Sequence, residues 1–575
     1  MLPRLLTGAL LLAQLFSESR ATERTAPRPE RFEERLRLTP FAEGKVLSEF
    51  GFVLEGPWRD EGVHLAGNVL SDHHSLVPHR LTSLVRRYRV SAFELTLSSG
   101  RWSPTWPIHL PASIPASGIE LTAWLELLEG ESDDDERRRW EAFTSAVSGL
   151  FCAGIATDGI ETSTASPTWA VPFPTDASPD EHRLYRLVMP RLSAACTESL
   201  TPFISLLPCS SRAGLASLLN PHRLFDGEFT SIAISFVHHE QNETARFQLD
   251  VGSVQDPVRL DRLTGQLGRR SFSFHSLYDR TVKNACPVAT DSSIQLVVPS
   301  HSINPFVLEP DLAREMRSLD GRDVAVWDVK QAVEQAALDV QINWPEEHVF
   351  SPLPPSKLPI PPLAARRLRF GGGQESGRLG IELKNNQDVE VEVIWVETWP
   401  WWIKTFVHTL DAQSGGTNAS SIIDLDYTPA IARSRPTTLQ VLVRTPARST
   451  VQLTIGWEAA GLWYTEYPAD SNRGFALPGA TVVLLASTEP NSLRRSDLWM
   501  ADRQRVLQLH TPTTLLSLPT PDFSMPYNVI ILSSTVIALY FGSVVNGLLR
   551  RWRCVDLSPA QGSVLPGADL RLKAL

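Results

Sequence analysis

The sequence lacks the patterns that announce an enzyme. It holds no Gly-x-Ser-x-Gly elbow, no Gln-Ala-Cys of the caspase type and no His-Glu-x-x-His helix. The histidine pairs His73-His74 and His238-His239 are adjacent, and neighbours on a strand point to opposite faces, so neither pair forms a metal site. The glycines of Phe370–Gly377 ("FGGGQESG") come without Gly-Lys-Ser/Thr or a strand–helix context, and read as a turn rather than a phosphate loop. Basic charge is not in excess either. The formal net charge is -10, which argues against nucleic acid as a partner, since phosphates need a basic face. No metal, cofactor or catalytic residue is expected, and the residues alone suggest a protein that works through contacts.

What is present points to strands. Pro 43 and Trp 16 are high for 575 residues, and much proline with few long helical runs favours short strands joined by turns. The length accommodates two to four domains with substantial cores. Leu36–Leu54 reads as a hairpin around Glu43-Gly44. "HRLTSLVRRYRV" places Leu81, Leu84, Val85 and Tyr88 on one helical face, and "SAFELTLSSG" then alternates. "SDDDERRRWEAFTSAVSGLF" opens with acids that suit a helix N-terminus and spaces Trp140, Phe143, Val147 and Phe151 helically. After about residue 220 strands dominate. "SPLPPSKLPIPPLAARR" (351–367) is a stiff linker, and beyond it "LGIELKNN", "VEVEVIWVETW", "TLQVLVRTP", "STVQLTIGWEAA" and "ATVVLLAST" form a sandwich pattern separate from the first half.

Both chain ends are informative. Arg4, an apolar Leu5–Phe16 and small residues at Ser19 and Ala21 read as a secretory signal cut after Ala21; an N-terminal anchor is the alternative. Val529–Leu549 carries no charge and at 1.5 Å per residue reaches about 31 Å, one hydrocarbon thickness. Arg550, Arg551 and Arg553 follow at once and place that end in the cytosol. A buried core helix and a GPI-attachment signal are the rivals; the latter would end the chain, whereas a polar tail runs on to Leu575. Ser534, Ala538, Gly542 and Asn546 line one stripe of the span, the kind of face a partner helix approaches. The expected fold class is mainly β with some α in the N-terminal half, β-sandwich-like lumenal domains and one C-terminal transmembrane helix. Its parts are a signal peptide (1–21), a mixed strand-rich region (22–350), the linker (351–367), a sandwich-like region (368–525), the span (526–549) and a cytosolic tail (550–575).

The cysteines are Cys152, Cys196, Cys209, Cys286 and Cys554. The first four lie in an oxidising lumen on this topology, and Cys554 is a juxtamembrane thiol of the kind that is palmitoylated. Four lumenal cysteines allow three complete pairings, or one internal bridge, one intermolecular bridge and one free thiol. The apolar setting "GLFCAGI" suggests that Cys152 is a buried, inert thiol. Asn242-Glu-Thr and Asn418-Ala-Ser are N-glycosylation sequons, expected on exposed turns.

"LPTPDFSMPYNVI" (Leu518–Ile530) closely resembles the segment before the membrane span in the PIG-T-type subunit of GPI transamidase. "GLFCA", "CTESLTPFISLLPCSSRAGLASLL" (Cys196–Leu219), "ETWPWWIKTFVHTL" (Glu397–Leu410) and "WYTEYPADSNRGF" (Trp463–Phe475) resemble further blocks of that family in the same order. The resemblance implies a non-catalytic subunit of the complex that replaces a C-terminal signal with a GPI lipid in the endoplasmic reticulum membrane. It implies a caspase-like catalytic subunit as disulfide partner through Cys196, the other membrane subunits as neighbours, and GPI lipid and proprotein within reach. It further leaves Cys209 and Cys286 as an internal pair. A type I β-sandwich receptor or adhesion protein is the alternative function. In the span, Pro526 would sit at the helix start with Ser524 as cap, and Asp522, Phe523 and Tyr527 would set the distance from body to bilayer.

Overall fold

The computed structural model describes residues 30–58, 76–106, 112–155, 161–171, 180–190, 197–239, 244–258, 270–299, 305–311, 314–319, 321–334, 336–347, 358–371, 373–414, 421–468, 470–486, 505–521 and 524–551, with 108, 350 and 354. The expected signal peptide and nearly all of the tail lie outside these. The described chain is mainly strand, with one apolar helix at its C-terminal end, as the sequence pattern suggests. It divides into two compact units, residues 1–519 and 520–575.

The first unit is built on an eleven-stranded sheet. Its order is Arg314–Leu319, Arg322–Asp328, Asp291–Val297, Arg31–Pro40, Val46–Pro57, Thr244–Gln255, Phe229–His239, Val90–Gly100, Gly118–Glu126, His182–Met189 and Ser163–Ala165. Neighbours run antiparallel except Arg31–Pro40 against Asp291–Val297, which is parallel. The hairpin read at Leu36–Leu54 is there, with Gly44 at φ +84° in its turn, a backbone that glycine adopts without strain. The sheet's apolar face is covered by the helices His79–Tyr88 and Asp133–Phe151. The second starts where the acids are: Ser132 Oγ accepts the Asp135 N–H at 3.2 Å, and Asp133, Asp134, Asp135 and Glu136 fill the first turn. Trp140, Phe143, Val147 and Phe151 are buried on its inner side, each contributing roughly 1.5–3 kcal/mol.

A sandwich follows. One layer holds Leu363–Phe370, Ser376–Asn385, Thr450–Ala459 and Ile403–Ser414; the other holds Ile422–Thr428, Thr437–Thr445, Val391–Trp399, Thr481–Leu485, Arg505–His510 and Ala112–Ser113. Ile381, Leu383, Leu453 and Ile455 meet Val393, Trp395, Val441 and Val482 in one core. The stretch read as linker over 351–367 passes into strand at Leu363. Trp399 and Trp402 are buried in the core.

The sandwich is not made from its own segment alone, contrary to the separation read in the sequence. Ala112–Ser113 lies parallel to Leu507 and Gln508, and Ile114 N–H donates to Gln508 O at 3.0 Å. Trp169 and Ala170 cover the outer face of the six-stranded layer against Ile394, Val396, Leu442 and Val483, so that layer is apolar on both faces and its runs "VIWV" and "VVLL" are continuous. Trp169 N–H donates to Gln440 Oε1 at 2.9 Å, Ala476 N–H to Glu161 Oε1 at 2.9 Å, and Arg505 to the carbonyls of Trp169 and Ala170. A two-residue strand and a short covering loop have no periodicity to read.

Candidate functional site

The block that carries the two central cysteines is a run of short turns: Thr197–Ser199, Leu200–Ile204, Leu215–Leu218 and Pro221–Leu224. Short elements cannot hold themselves together, and here four anchors do so. Leu200, Phe203, Leu215, Leu218 and Leu224 are buried in the main core, with Phe203 stacked on Phe151 at 4.6 Å. Cys209 is bonded to Cys286, Cα–Cα 6.0 Å. Asn220 Nδ2 donates to Tyr278 O at 2.9 Å, and Arg280 to the carbonyls of Ser217 and Leu219, each at 3.1 Å.

The fourth anchor is Glu34, a buried carboxylate on the inward face of the first strand. Its Oε2 accepts the Leu215 N–H at 3.1 Å and its Oε1 the Ser292 hydroxyl at 2.6 Å. Burial pushes the carboxyl above its ordinary value, against the pull of Ser292, Leu215 and the Lys330 charge. Gly214, φ +69°, makes the approach possible; a Cβ there would stand 2.4 Å from Glu34 Oε2. Sequence reading passed over Glu34. The signal was available: the alternation of Phe32, Leu36 and Leu38 puts this one charge on the core side.

Cys196 itself lies outside the described residues, immediately before the block. Because Cys209 is bonded to Cys286, it is not a partner for Cys196. Cys152 is a correction. It is exposed and unbonded, not buried: at the C-cap of the Asp133–Phe151 helix it takes φ 51°. That left-handed turn leaves Phe151 and Ala153 inside and Cys152 outside. A membrane-impermeant maleimide applied to the native protein on its body side is therefore expected to label Cys152 without denaturant. Labelling that appeared only after unfolding would contradict its exposure.

Ser534, Ala538, Gly542 and Asn546 recur every four residues on the Ser524–Leu549 helix, and all four are exposed. A Cβ at Gly542 would meet nothing within 4 Å. Within that helix Tyr527–Leu549 is long and apolar enough to cross a membrane, with mean hydropathy 1.9. Pro526 falls in its first turn; the side chains of Ser524 and Pro526, and all of Asp522, Phe523 and Cys554, lie outside the described residues. So do Asn242, between the paired strands Phe229–His239 and Thr244–Gln255, and Asn418, between Ile403–Ser414 and Ile422–Thr428, which belong to different layers of the sandwich. His73 and His74 are likewise outside. The His238 ring packs on Trp58 at 4.2 Å, and no metal-holding group of three or more His, Cys, Asp or Glu occurs among the described residues.

This geometry defines a class: a β-rich body with a pinned, disulfide-held block and one candidate membrane-spanning helix. The chain belongs to the Gpi16 family, whose model, described as the Gpi16 subunit, a GPI transamidase component, matches residues 10–266 and 263–573. It is similar to the GPI-anchor transamidase component PIGT of Homo sapiens, 31% identical over 91% of each chain. The Mus musculus protein of the same name is 31% identical, over 90% of this chain and 89% of its own. The GPI transamidase component GPI16 of Saccharomyces cerevisiae is 26% identical over 91% of this chain and 89% of its own.

Proposed function

We propose that this chain is a non-catalytic subunit of GPI transamidase, disulfide-bonded through Cys196 to a separate caspase-like subunit that supplies the nucleophilic cysteine and its histidine. The observation that supports this most is the Cys209–Cys286 bond. It takes the nearest rival out of competition for Cys196 and fixes the block that follows Cys196 against the body. An interchain bond from such a platform raises the effective concentration of one subunit beside the other, so modest contacts suffice for lasting association. The body is lumenal in the endoplasmic reticulum, an oxidising compartment, with Arg550, Arg551 and Arg553 on the cytosolic side.

The test is a non-reducing gel of tagged protein from microsomes, wild type beside Cys196→Ser. A heavier band containing the caspase-like subunit is expected in the wild type, lost with reductant and lost in the variant. Monomers in both lanes would sink the assignment. The Ser534–Asn546 stripe is, on the same reading, where another membrane helix of the complex packs. Gly542→Leu is expected to reduce recovery of the membrane subunits with the tagged chain while the Cys196 band persists. Unchanged recovery would remove the stripe from the assembly.

A further inference from the structure

One end of the sandwich differs from the other. At the far end, where Leu363 pairs with Asn385 and Val391 with Thr445, the aliphatic Ile360, Val389 and Ile423 are exposed among charged groups, and none of the exposed aromatic side chains of the described residues lies there. Arg448 is paired to Asp388 at 2.7 Å, and Arg444 lies near Glu390 and Glu392. At the near end, where Phe370 pairs with Arg378, Ile403 with Ala459 and Thr428 with Thr438, the turns carry exposed Phe370, Ile431, Trp463, Tyr464 and Leu515. Trp463 is 63% exposed, yet it is held in place. Its backbone N–H donates to Glu466 Oε2 at 2.6 Å, and over the indole itself the Arg433 guanidinium lies 3.7 Å from the ring centroid, and 4.8 Å from that of Trp401. Arg433 also forks onto Glu466, at 2.5 and 3.1 Å, and holds that carboxyl below its ordinary range. An indole fixed in this way and left facing solvent is not part of a core.

The chain itself says what lies near this end. Tyr467, four residues after Trp463, donates its hydroxyl to Pro519 O at 2.7 Å. Pro519 is the last residue of the body, and the apolar helix begins at Ser524. Five residue steps reach at most about 18 Å, so the aromatic end is tethered close to the point where the chain enters the bilayer, whatever the angle of the helix. Tryptophan and tyrosine, with arginine beside them, are the residues that settle at the headgroup level.

We infer that the Trp463–Tyr464 turn, with Ile431 beside it, is a lipid-contacting foot that rests in the headgroup region of the bilayer on the body's side. The occupant is phospholipid rather than a partner protein, because the short connection limits how far this end can stand from the chain's entry into the bilayer, and tryptophan, tyrosine and arginine together suit the headgroup level. Stacked on Trp401 and Trp463 and paired to Glu466, Arg433 is the strut that keeps the foot extended.

The inference rests on reading Tyr527–Leu549 as a span, and the experiment separates the two. A photoreactive p-benzoylphenylalanine is placed, in the full chain within native microsomes, at Trp463, at Tyr464, at Val389 on the far end, and at Tyr540 in the apolar helix. After irradiation, mass spectrometry reads the adduct on the labelled peptide. Lipid-mass adducts are expected at Trp463, Tyr464 and Tyr540, and none at Val389. Adducts at Tyr540 with none at Trp463 and Tyr464, or crosslinks there to protein only, would overturn the foot while leaving the span intact. Absence at Tyr540 would overturn the span, and the foot with it. The use of two foot positions guards against a misfolded variant at either one.

Discussion

Arg367→Met is expected to destabilise the body by about 3–5 kcal/mol, because it leaves a carboxylate buried without its cation. Arg367 and Glu397 form an ion pair inside the sandwich, their side chains only 4% and 1% exposed. Arg367 also donates to Pro478 O at 2.5 Å, and the Trp395 indole donates to Glu397 Oε1 at 3.3 Å. Burial already pushes the Glu397 carboxyl above its ordinary value, with the Arg367 charge and hydrogen bond and the Trp395 hydrogen bond pulling it back. In the variant the main pull is gone. A carboxyl raised in the folded state takes part of its stability from the protonated form, which is lost as pH rises past the unfolded value. The deficit is therefore large at neutral pH and shrinks at about pH 4. Thermal unfolding of the full chain in nanodiscs at both pH values checks this; an equal deficit at each would exclude charge as the cause. Arg367→Met with Glu397→Leu should recover most of the loss, since an apolar pair of similar volume carries no desolvation penalty.

The second large effect is the loss of the internal disulfide. Cys209 and Cys286 are 77 residues apart, and closing a loop of that length restricts the unfolded chain by about 4 kcal/mol. Cys209→Ala with Cys286→Ala is expected to lower stability by that order. The first region to loosen should be the turns between Thr197 and Leu224, whose remaining anchors are Glu34, Asn220 and Arg280. Limited proteolysis locates the effect: early cleavage within the block agrees, and unchanged resistance there would show that the other anchors suffice. The same variant should weaken the Cys196 band on the proposed function, since its platform is gone.

Elements whose signal is local were legible in the sequence. The hairpin at Leu36–Leu54, the acid-capped helix bearing Trp140 and Phe143, and the alternating strands of the sandwich each carry their own period, and each is where the pattern puts it. The apolar helix needed only length and hydropathy. What escaped depends on partners far away in the chain. The parallel pairing of Arg31–Pro40 with Asp291–Val297, the cover supplied by Trp169, and the contacts of Glu34 join residues hundreds apart. Cys152 escaped for the opposite reason. Its neighbours are apolar, but a single left-handed residue at a helix end reverses which side chain faces water.

The pairing of Ala112–Ser113 with Leu507–Gln508 also sets a clock. Synthesis proceeds from the N-terminus, so the early strand waits through almost four hundred residues of translation for its neighbour. Arg505–His510 is the final strand of that six-stranded layer in chain order, and the apolar helix follows fourteen residues later. Such a long-range closure is slow to find. The body can therefore complete its second sheet only as the apolar helix is itself about to be made, and a chain that stops short of residue 505 is left with Ala112–Ser113 unpaired and an open edge at Thr481–Leu485, the sort of edge that invites other strands.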